Sequence, residues 1–494
     1  MPGATRKLRN GLLLAGCAVI HNSFAGPFIE VGDMGLRHDI TLLADQGIIS
    51  APITTWPISW KSIADDVRHA EIESDTPESV KRSLFRVKSR LQQALRQNDL
   101  RLSTRIAADS RDKSFPNLRT FDSLAREEAE VSAGAEWMGE NTAFKLNATY
   151  ARDPEDSKEY RADGSYAGFL SENWSYTLST MDRWWGPGYE GSLILSNNAR
   201  PVPAISIQRM SAEPFKTKWL SWLGPWQFKF FAGQMESERY VPHPKLFGLR
   251  INFKPFDSLE VGLSRTAQWG GEGRPEDFKT FVNMVLGKDN YIEEGITIAQ
   301  EPGNQLAGWD LRWKPGSSLP LALYMQRIGE DQAGIYPTAN MYQFGAETWG
   351  SFDNHDYRLI LEYSDTTAYR WPDRNWNVAY NHHIYKDGYR YYHRSIGHSA
   401  DSDSAITSLR FSLYGTQDTS WQFVLSDGTI NRDNAGQNAV SADALDFTGA
   451  QVRRKQPLLG GELDIGLAYI SIHNRQTGVA DDDTQAVMQW SHTF

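Results

Sequence analysis

The sequence predicts an all-β transmembrane barrel of about 18 antiparallel strands, each taking roughly 20 to 22 residues with its connection, and a small N-terminal α-helical bundle on the periplasmic side. Three observations predict it. Apolar and polar residues alternate with period two from about Leu100 to the C-terminus, far more strand than a single sandwich uses. The chain carries 17 Trp, 20 Tyr and 22 Phe, several at strand ends such as Trp219, Trp222, Trp226 and Trp313, where aromatic girdles meet the two lipid interfaces. The last strand, Ala486-Val487-Met488-Gln489-Trp490-Ser491-His492-Thr493-Phe494, sets apolar or aromatic residues at alternate positions and ends on a phenylalanine.

Taken in order, residues 1–25 read as an export signal. Arg6, Lys7 and Arg9 precede the apolar Gly11 to Ile20, and Ser23-Phe24-Ala25 forms a small-x-small cleavage site before Gly26. Leu14-Ala15-Gly16-Cys17 also matches a bacterial lipoprotein cleavage box, but the apolar run before Cys17 is short and continues through Ala18-Val19-Ile20. An unlipidated mature chain beginning near Gly26 is therefore expected. Cys17 is the only cysteine, so that mature chain holds no disulfide and no cysteine-based metal site.

Residues 26–99 are expected to form the helical bundle. Leu36, Ile40, Leu43 and Ala44 recur at helical spacing, with Gly47 placed to stop the helix. Trp60, Ile63, Ala64 and Val67 repeat the pattern. Thr76 as N-cap, Pro77 at the first helical position, and the stripe Val80, Leu84, Val87, Leu91 and Leu95 mark a third helix. Three short amphipathic helices bury their stripes only against each other or something larger.

Residues 100–494 are expected to form the barrel. Phe144, Leu146, Ala148 and Tyr150 alternate with Lys145, Asn147 and Thr149, and the same period marks Trp174 to Leu178, Trp226 to Phe230, Leu259 to Leu263, Trp309 to Trp313 and Leu463 to Tyr469. Alternation alone suits a soluble sheet as well as a membrane barrel. The length of the pattern, the aromatics and the last strand select the barrel. No apolar run of 18 residues follows the signal, which excludes a helical anchor. A closed barrel is then the structure that satisfies every backbone polar group within a bilayer. Polar stretches from Arg152 to Tyr166, Gly270 to Gln305, Ile384 to Ser404 and Asn431 to Ser441 are expected as surface loops.

A net charge of −10 and the lack of a basic stripe argue against nucleic acid. No nucleophile elbow, zinc helix or phosphate loop is present, so no catalytic residue and no cofactor are assigned. Glu293-Glu294 and the run Asp481 to Asp483 read as solvated loop charges. His382-His383 invites a metal reading, but neighbouring residues on a strand point to opposite faces, so no metal site is assigned.

Asp182-Arg183-Trp184-Trp185-Gly186-Pro187-Gly188-Tyr189-Glu190-Gly191-Ser192-Leu193 concentrates the specialised chemistry. Its Gly-Pro-Gly core makes a defined turn, and its rings and charged groups suit a sugar: apolar faces for stacking, charged forks for hydroxyls. The run resembles the WWGPGYEGSL segment of the Wzi family, outer-membrane proteins of capsular polysaccharide assembly. Val241-Pro242-His243, Gln268-Trp269-Gly270-Gly271, Gly273-Arg274-Pro275-Glu276, Gly287-Lys288-Asp289-Asn290, Glu301 to Gly308, Ile328 to Asp331, Ala339-Asn340-Met341 and His382 to Tyr389 also resemble family segments, in the same order. The terminal strand resembles the C-terminal signal of bacterial outer-membrane barrels.

The resemblance implies the same strand count and a non-catalytic, lectin-like protein that anchors capsular or extracellular polysaccharide at the cell surface. Its implied partners are the polysaccharide, outer-membrane lipid, the barrel-assembly machinery and polysaccharide export machinery. On this reading the polysaccharide-binding residues are Arg183, Trp184, Trp185, Tyr189, Glu190, Trp269, Arg274, Tyr385, Lys386, Asp387 and Tyr389, and Phe494 is the membrane-assembly signal. A porin-like channel and an outer-membrane hydrolase are the alternatives.

Overall fold

In the computed structural model, which describes residues 26–494 apart from 288–300, 302, 317–318, 334–335, 371 and 435–436, the chain from Leu100 onward closes into an antiparallel barrel. The expected export signal lies outside the described residues. Eighteen wall strands follow one another from Leu100–Asp109 to Ala480–Thr493, and two short ones, Tyr160–Arg161 and Asp373–Asn375, add to the wall. The last strand pairs with the first, Val487 opposite Asp109 and Thr493 opposite Ser103, so closure removes the sheet edge.

The period-two pattern places its two faces as a membrane barrel requires. Leu146, Leu178, Leu263, Leu467 and Tyr469 are exposed on the outside, whereas Arg250, Asp310, Glu347, Arg358, Glu362 and Arg410 are buried within. Short turns at 139–141, 257–258, 353–354 and 459–460 join strands at one end, and the long segments 110–128, 153–165, 376–404 and 431–444 lie at the other. Barrels of this kind place short turns in the periplasm and long loops at the cell surface.

The N-terminal unit has the three expected helices: α1 (Met34–Asp45), α2 (Trp60–His69) and α3 (Glu78–Ala94). Asp33 caps α1 by accepting from the Leu36 N–H at 3.0 Å, and Gly47, at φ 75°, ends it. The start of α3 differs by one residue. Pro77 is the capping position, with extended ψ of 141°, and the Thr76 hydroxyl instead accepts from the Glu73 N–H at 3.1 Å. The three apolar stripes meet in one core that continues into Trp56, Phe121, Trp184 and Tyr189. The bundle is therefore seated in the barrel mouth.

The bundle's place at the short-turn end is marked by ion pairs from α3: Arg90 to Asp418 at 3.0 Å and Arg82 to Asp356 at 2.5 Å. Deeper in, Arg312 forks onto both oxygens of Asp45 at 2.6 and 2.9 Å and bonds Glu347 at 2.6 Å. Arg250 forks onto Asp310 at 2.6 and 2.9 Å while its Nη2 reaches the Thr54 hydroxyl at 3.0 Å. Glu260 accepts from the main-chain N–H groups of Ile53 and Thr54 at 2.8 and 2.9 Å. Charged wall residues thus satisfy the polar groups of the chain they enclose, as burial demands.

Phe494 is 72% exposed; its N–H donates to the Leu102 carbonyl, and its ring meets the edge of His492. Deleting it removes little packing. If Phe494 is the signal read during assembly, deletion is expected to reduce the amount of heat-modifiable barrel in the membrane several-fold. The midpoint of the barrels that do assemble should barely move, and electrophoresis of heated and unheated membranes measures both.

Candidate functional site

The segment 180–203 leaves the wall after Trp174–Ser179, crosses the lumen and returns as Ala204–Arg209. It is a plug. Trp184 and Trp185 pair antiparallel with Trp56 and Thr55 of the N-terminal unit. Gly186 sits at φ 143°, and a Cβ there would meet Gln326 Nε2 at 2.6 Å, so glycine fits both the conformation and the space. Arg37 of α1 donates to the carbonyls of Pro187 and Gly188, each at 2.8 Å. The turn's N–H groups find a carboxylate: Tyr189, Glu190 and Gly191 donate to Glu362 at 2.8, 3.2 and 3.0 Å. Gln326 accepts from the Leu193 N–H and donates to the Trp185 carbonyl.

This placement corrects the expectation that these rings stack on sugar. Trp184 lies edge-on to Phe121 at 5.5 Å and donates its indole N–H to the Gly188 carbonyl; Trp185 packs on Phe231 at 5.6 Å. The Tyr189 ring is covered by the Arg37 guanidinium at 3.8 Å, and its hydroxyl bonds Glu347 at 2.8 Å. Exposures of 0, 1 and 2% leave the three rings no face for a ligand. Arg183 lies over Phe231 and bonds Ser206, and Glu190 is held by Arg410. The aromatic density closes the lumen from within.

Above the plug lies the loop 376–404. Tyr380 and Tyr389 donate their hydroxyls to the Leu193 and Ile194 carbonyls at 2.6 and 2.9 Å, and the Ser196 N–H donates to the Ile396 carbonyl. Tyr389 is therefore also corrected to architecture, as is Tyr385, whose hydroxyl donates to the Gly270 carbonyl at 3.0 Å; both are fully buried. Trp269 packs against Phe247 and against Phe281 of α4 (Phe278–Val285), which seats that helix on the wall. Arg274 donates to the Glu301 carbonyl at 2.6 Å.

His382 and His383 do not point apart. They lie outside any strand, so strand alternation does not govern them; their rings stack at 4.6 Å and both approach Glu301, at 3.5 and 3.1 Å. The three offer ligand atoms within 4.8 Å of one another. The His382 tautomer opposes a metal. Its Nδ1 accepts from the N–H groups of Ile384 and Tyr385 at 3.2 and 3.3 Å, so the proton sits on Nε2, the atom a metal would need. Burial, with His383 and Arg274 beside it, pushes this imidazole down to about 3. It acts as a neutral turn cap.

Two of the expected residues do reach the surface together. Lys386 is exposed with its ammonium 4.2 Å from the centre of the Tyr240 ring, and Asp387 accepts from the Tyr240 N–H at 2.7 Å. Tyr240 is 61% exposed. The connection that carries Tyr240 also pairs His243 with Glu272 at 2.9 Å and Glu238 with Lys158 at 2.9 Å, each partner coming from a different connection. The structure so assembles a ring, a cation and a carboxylate at the loop end, with Tyr240 supplied by the turn between Trp226–Gln234 and Lys245–Phe256. Sequence reading missed Tyr240. The signal available was its place in a short polar turn just before the motif Val241-Pro242-His243.

A family model described as capsule assembly protein Wzi matches residues 98–486. This chain belongs to the Wzi family. Wzi of Escherichia coli, described as an outer membrane protein involved in group 1 capsule assembly and a carbohydrate-binding β-barrel, superposes with a TM-score of 0.81 over 95% of this chain and 100% of that one, at 29% identity. A 55.8 kDa protein of the cps region of Klebsiella pneumoniae is 34% identical over 342 residues, which is 68% of this chain and 65% of that protein. In this Wzi-family barrel the family-like segment 184–193 is the lumen plug, and His382 to Tyr389 caps that plug from the loop side while presenting Lys386 and Asp387 outward.

Proposed function

We propose that this Wzi-family barrel resides in the outer membrane and binds capsular polysaccharide on its loop face, as a binding and assembly protein with no reaction of its own. The observation that carries this is the exposed Tyr240, with Lys386 over its ring and Asp387 at its main-chain N–H, above a lumen obstructed by the bundle, the plug and the loop 376–404. Lys386 covers one face of the Tyr240 ring, and the 61% exposed residue keeps ring surface for a sugar beside that cation and the Asp387 carboxylate, so the three offer what a polar, partly anionic glycan needs: a stacking surface, an ionic contact and a hydroxyl acceptor. The bundle, plug and loop obstruct the lumen, which disfavours the porin-like alternative. In this reading lipid meets the outer apolar band, the assembly machinery reads the strand ending at Phe494, and export partners meet the helical end.

Tyr240→Ala is expected to weaken polysaccharide binding by about fivefold, the equivalent of about 1 kcal/mol for one aromatic contact. Lys386→Ala should weaken binding to an acidic polysaccharide more than to a neutral one, and the difference should shrink at high salt because exposed charges are screened. Titration of purified polysaccharide into the solubilised variants tests this, with heat-modifiability as the control for folding. Wild-type affinity in both folded variants would remove the site from this surface.

A further inference from the structure

The chain between the strands Ala204–Arg209 and Trp226–Gln234 lies at the short-turn end, beside the turn at 257–258, and it folds outward over the wall. Trp226, Phe228 and Phe253 are on the lipid side there, since Gln227, Lys229 and Asn252 between them are buried in the lumen. Phe215 stacks on Trp226 with ring centres 4.3 Å apart, and Trp222 meets Phe253 edge-on at 6.1 Å. Arg209 points to the same side. Its guanidinium lies 4.1 Å from the Trp226 ring and donates to the carbonyls of Trp226 and Glu213 at 2.7 and 2.8 Å. Gly224, at φ 61°, returns the chain so close to the wall that a Cβ would collide with the Lys254 carbonyl. The connection is thus pinned to the outer surface at both ends.

What it presents there is apolar and cationic. Leu220 and Ser221 donate their N–H groups to the Thr217 carbonyl, and Leu223 donates to that of Leu220, so residues 217–223 wind into helical turns on which Trp219 and Trp222, three apart, share a face. Both tryptophans, expected at strand ends, stand on this connection instead. Because Trp222 rests on Phe253, the shared face continues the lipid-facing band of the wall. Trp219 is 89% exposed, Trp222 62% and Leu220 41%. Lys216 and Lys218 are exposed too, and among the described residues neither ammonium has a partner. With Arg209 they face a single carboxylate of the same stretch, Glu213. Indoles with lysines beside them fit the boundary between acyl chains and phosphates. The excess of positive charge favours lipids of net negative charge.

We infer that residues 213–224 form an in-plane lipid anchor, in which Trp219 and Trp222 enter the periplasmic leaflet and Lys216 and Lys218 hold the phosphate of an anionic phospholipid. The inference rests on the membrane location proposed above and not on polysaccharide binding.

The test uses the full-chain barrel in phosphatidylcholine vesicles with an environment-sensitive fluorophore on Leu220→Cys, which keeps both tryptophans and both lysines; wild type taken through the same labelling sets the background. The quenchers are iodide on both sides of the membrane and nitroxide-bearing phosphatidylglycerol or phosphatidylcholine, each with the nitroxide just below the headgroup. The label is expected to be quenched by the nitroxide lipids and spared by iodide, and the phosphatidylglycerol form should act at about threefold lower membrane concentration or less. Lys216→Gln with Lys218→Gln, in the same labelled and heat-modifiable barrel, should abolish that difference. Quenching by iodide and by neither lipid would overturn the anchor and leave a connection standing in water, where a periplasmic protein is its occupant. A label shielded from all three quenchers would overturn it in favour of a second copy of the barrel. Equal quenching by the two lipids, or a preference that survives the double substitution, would overturn the role of the lysines. Failure of the wild type to enter vesicles would overturn the membrane location itself, and polysaccharide titration on the same preparation reads the loop-face proposal separately.

Discussion

Replacing Trp184 with alanine should destabilise the folded barrel by about 3–5 kcal/mol, the range for emptying a buried indole site, and leave the glycan affinity of the folded fraction unchanged. The residue has no exposed surface, its ring abuts Phe121, its N–H fixes the Gly188 carbonyl, and its backbone pairs with Trp56. Nothing nearby can collapse into the space, because the walls around it are rigid strands and a three-helix core. Loss of the indole also frees the turn that aims Tyr189 at Glu347. The denaturation midpoint and the affinity, measured on the same preparation, separate architecture from recognition. An unchanged midpoint would contradict the assignment of this residue to the plug.

Arg312→Met should cost a similar amount, about 3–5 kcal/mol, since it strands Asp45 and deprives Glu347 of one of its cationic partners in a site shielded from water. Arg312 is the fork between the end of α1 and the wall. Glu347 keeps Arg358 and the Tyr189 hydroxyl, so the unpaired charge is chiefly that of Asp45. The expected result is release of the bundle from the mouth, read as proteolysis within α1 from the short-turn end at protease levels that leave the wild type intact. Arg312→Lys keeps the charge but loses the bidentate geometry and should fall between the two. Wild-type protease resistance in Arg312→Met would show that the ion pair does not hold the bundle.

Much of the fold was legible because membrane barrels obey one local rule along their whole length. Leu146 beside Lys145 and Ile465 beside Asp464 already separate the lipid face from the lumen, and the last strand could be read from its alternation alone. The helices were legible from their stripes, with Gly47 ending the first; the caps Asp33 and Ser59 were not read, and the third helix starts one residue later than Thr76 implied. The lumen contents were not legible. Trp184-Trp185 has the composition of a sugar platform and also that of a packed plug, and only the long-range pairing with Thr55 and Trp56 tells them apart. His382 and His383 were assigned opposite faces on a strand rule, whereas they lie in a turn where that rule has no force. The Tyr240 platform joins residues far apart in sequence, so no local pattern could place Lys386 over that ring.

We propose recognition on the loop face, above a plug whose buried rings hold the barrel interior together. The most direct test is equilibrium binding of purified capsular polysaccharide to wild-type barrel, to Tyr240→Ala combined with Lys386→Ala, and to Trp185→Phe, which keeps the plug filled but alters its ring. The prediction is saturable binding to the wild type, weakened about tenfold or more in the surface variant, where the aromatic and ionic contacts are both lost, and unaltered in the plug variant. Absence of saturable binding, or loss in a folded Trp185→Phe barrel with the surface variant unaffected, would contradict the account.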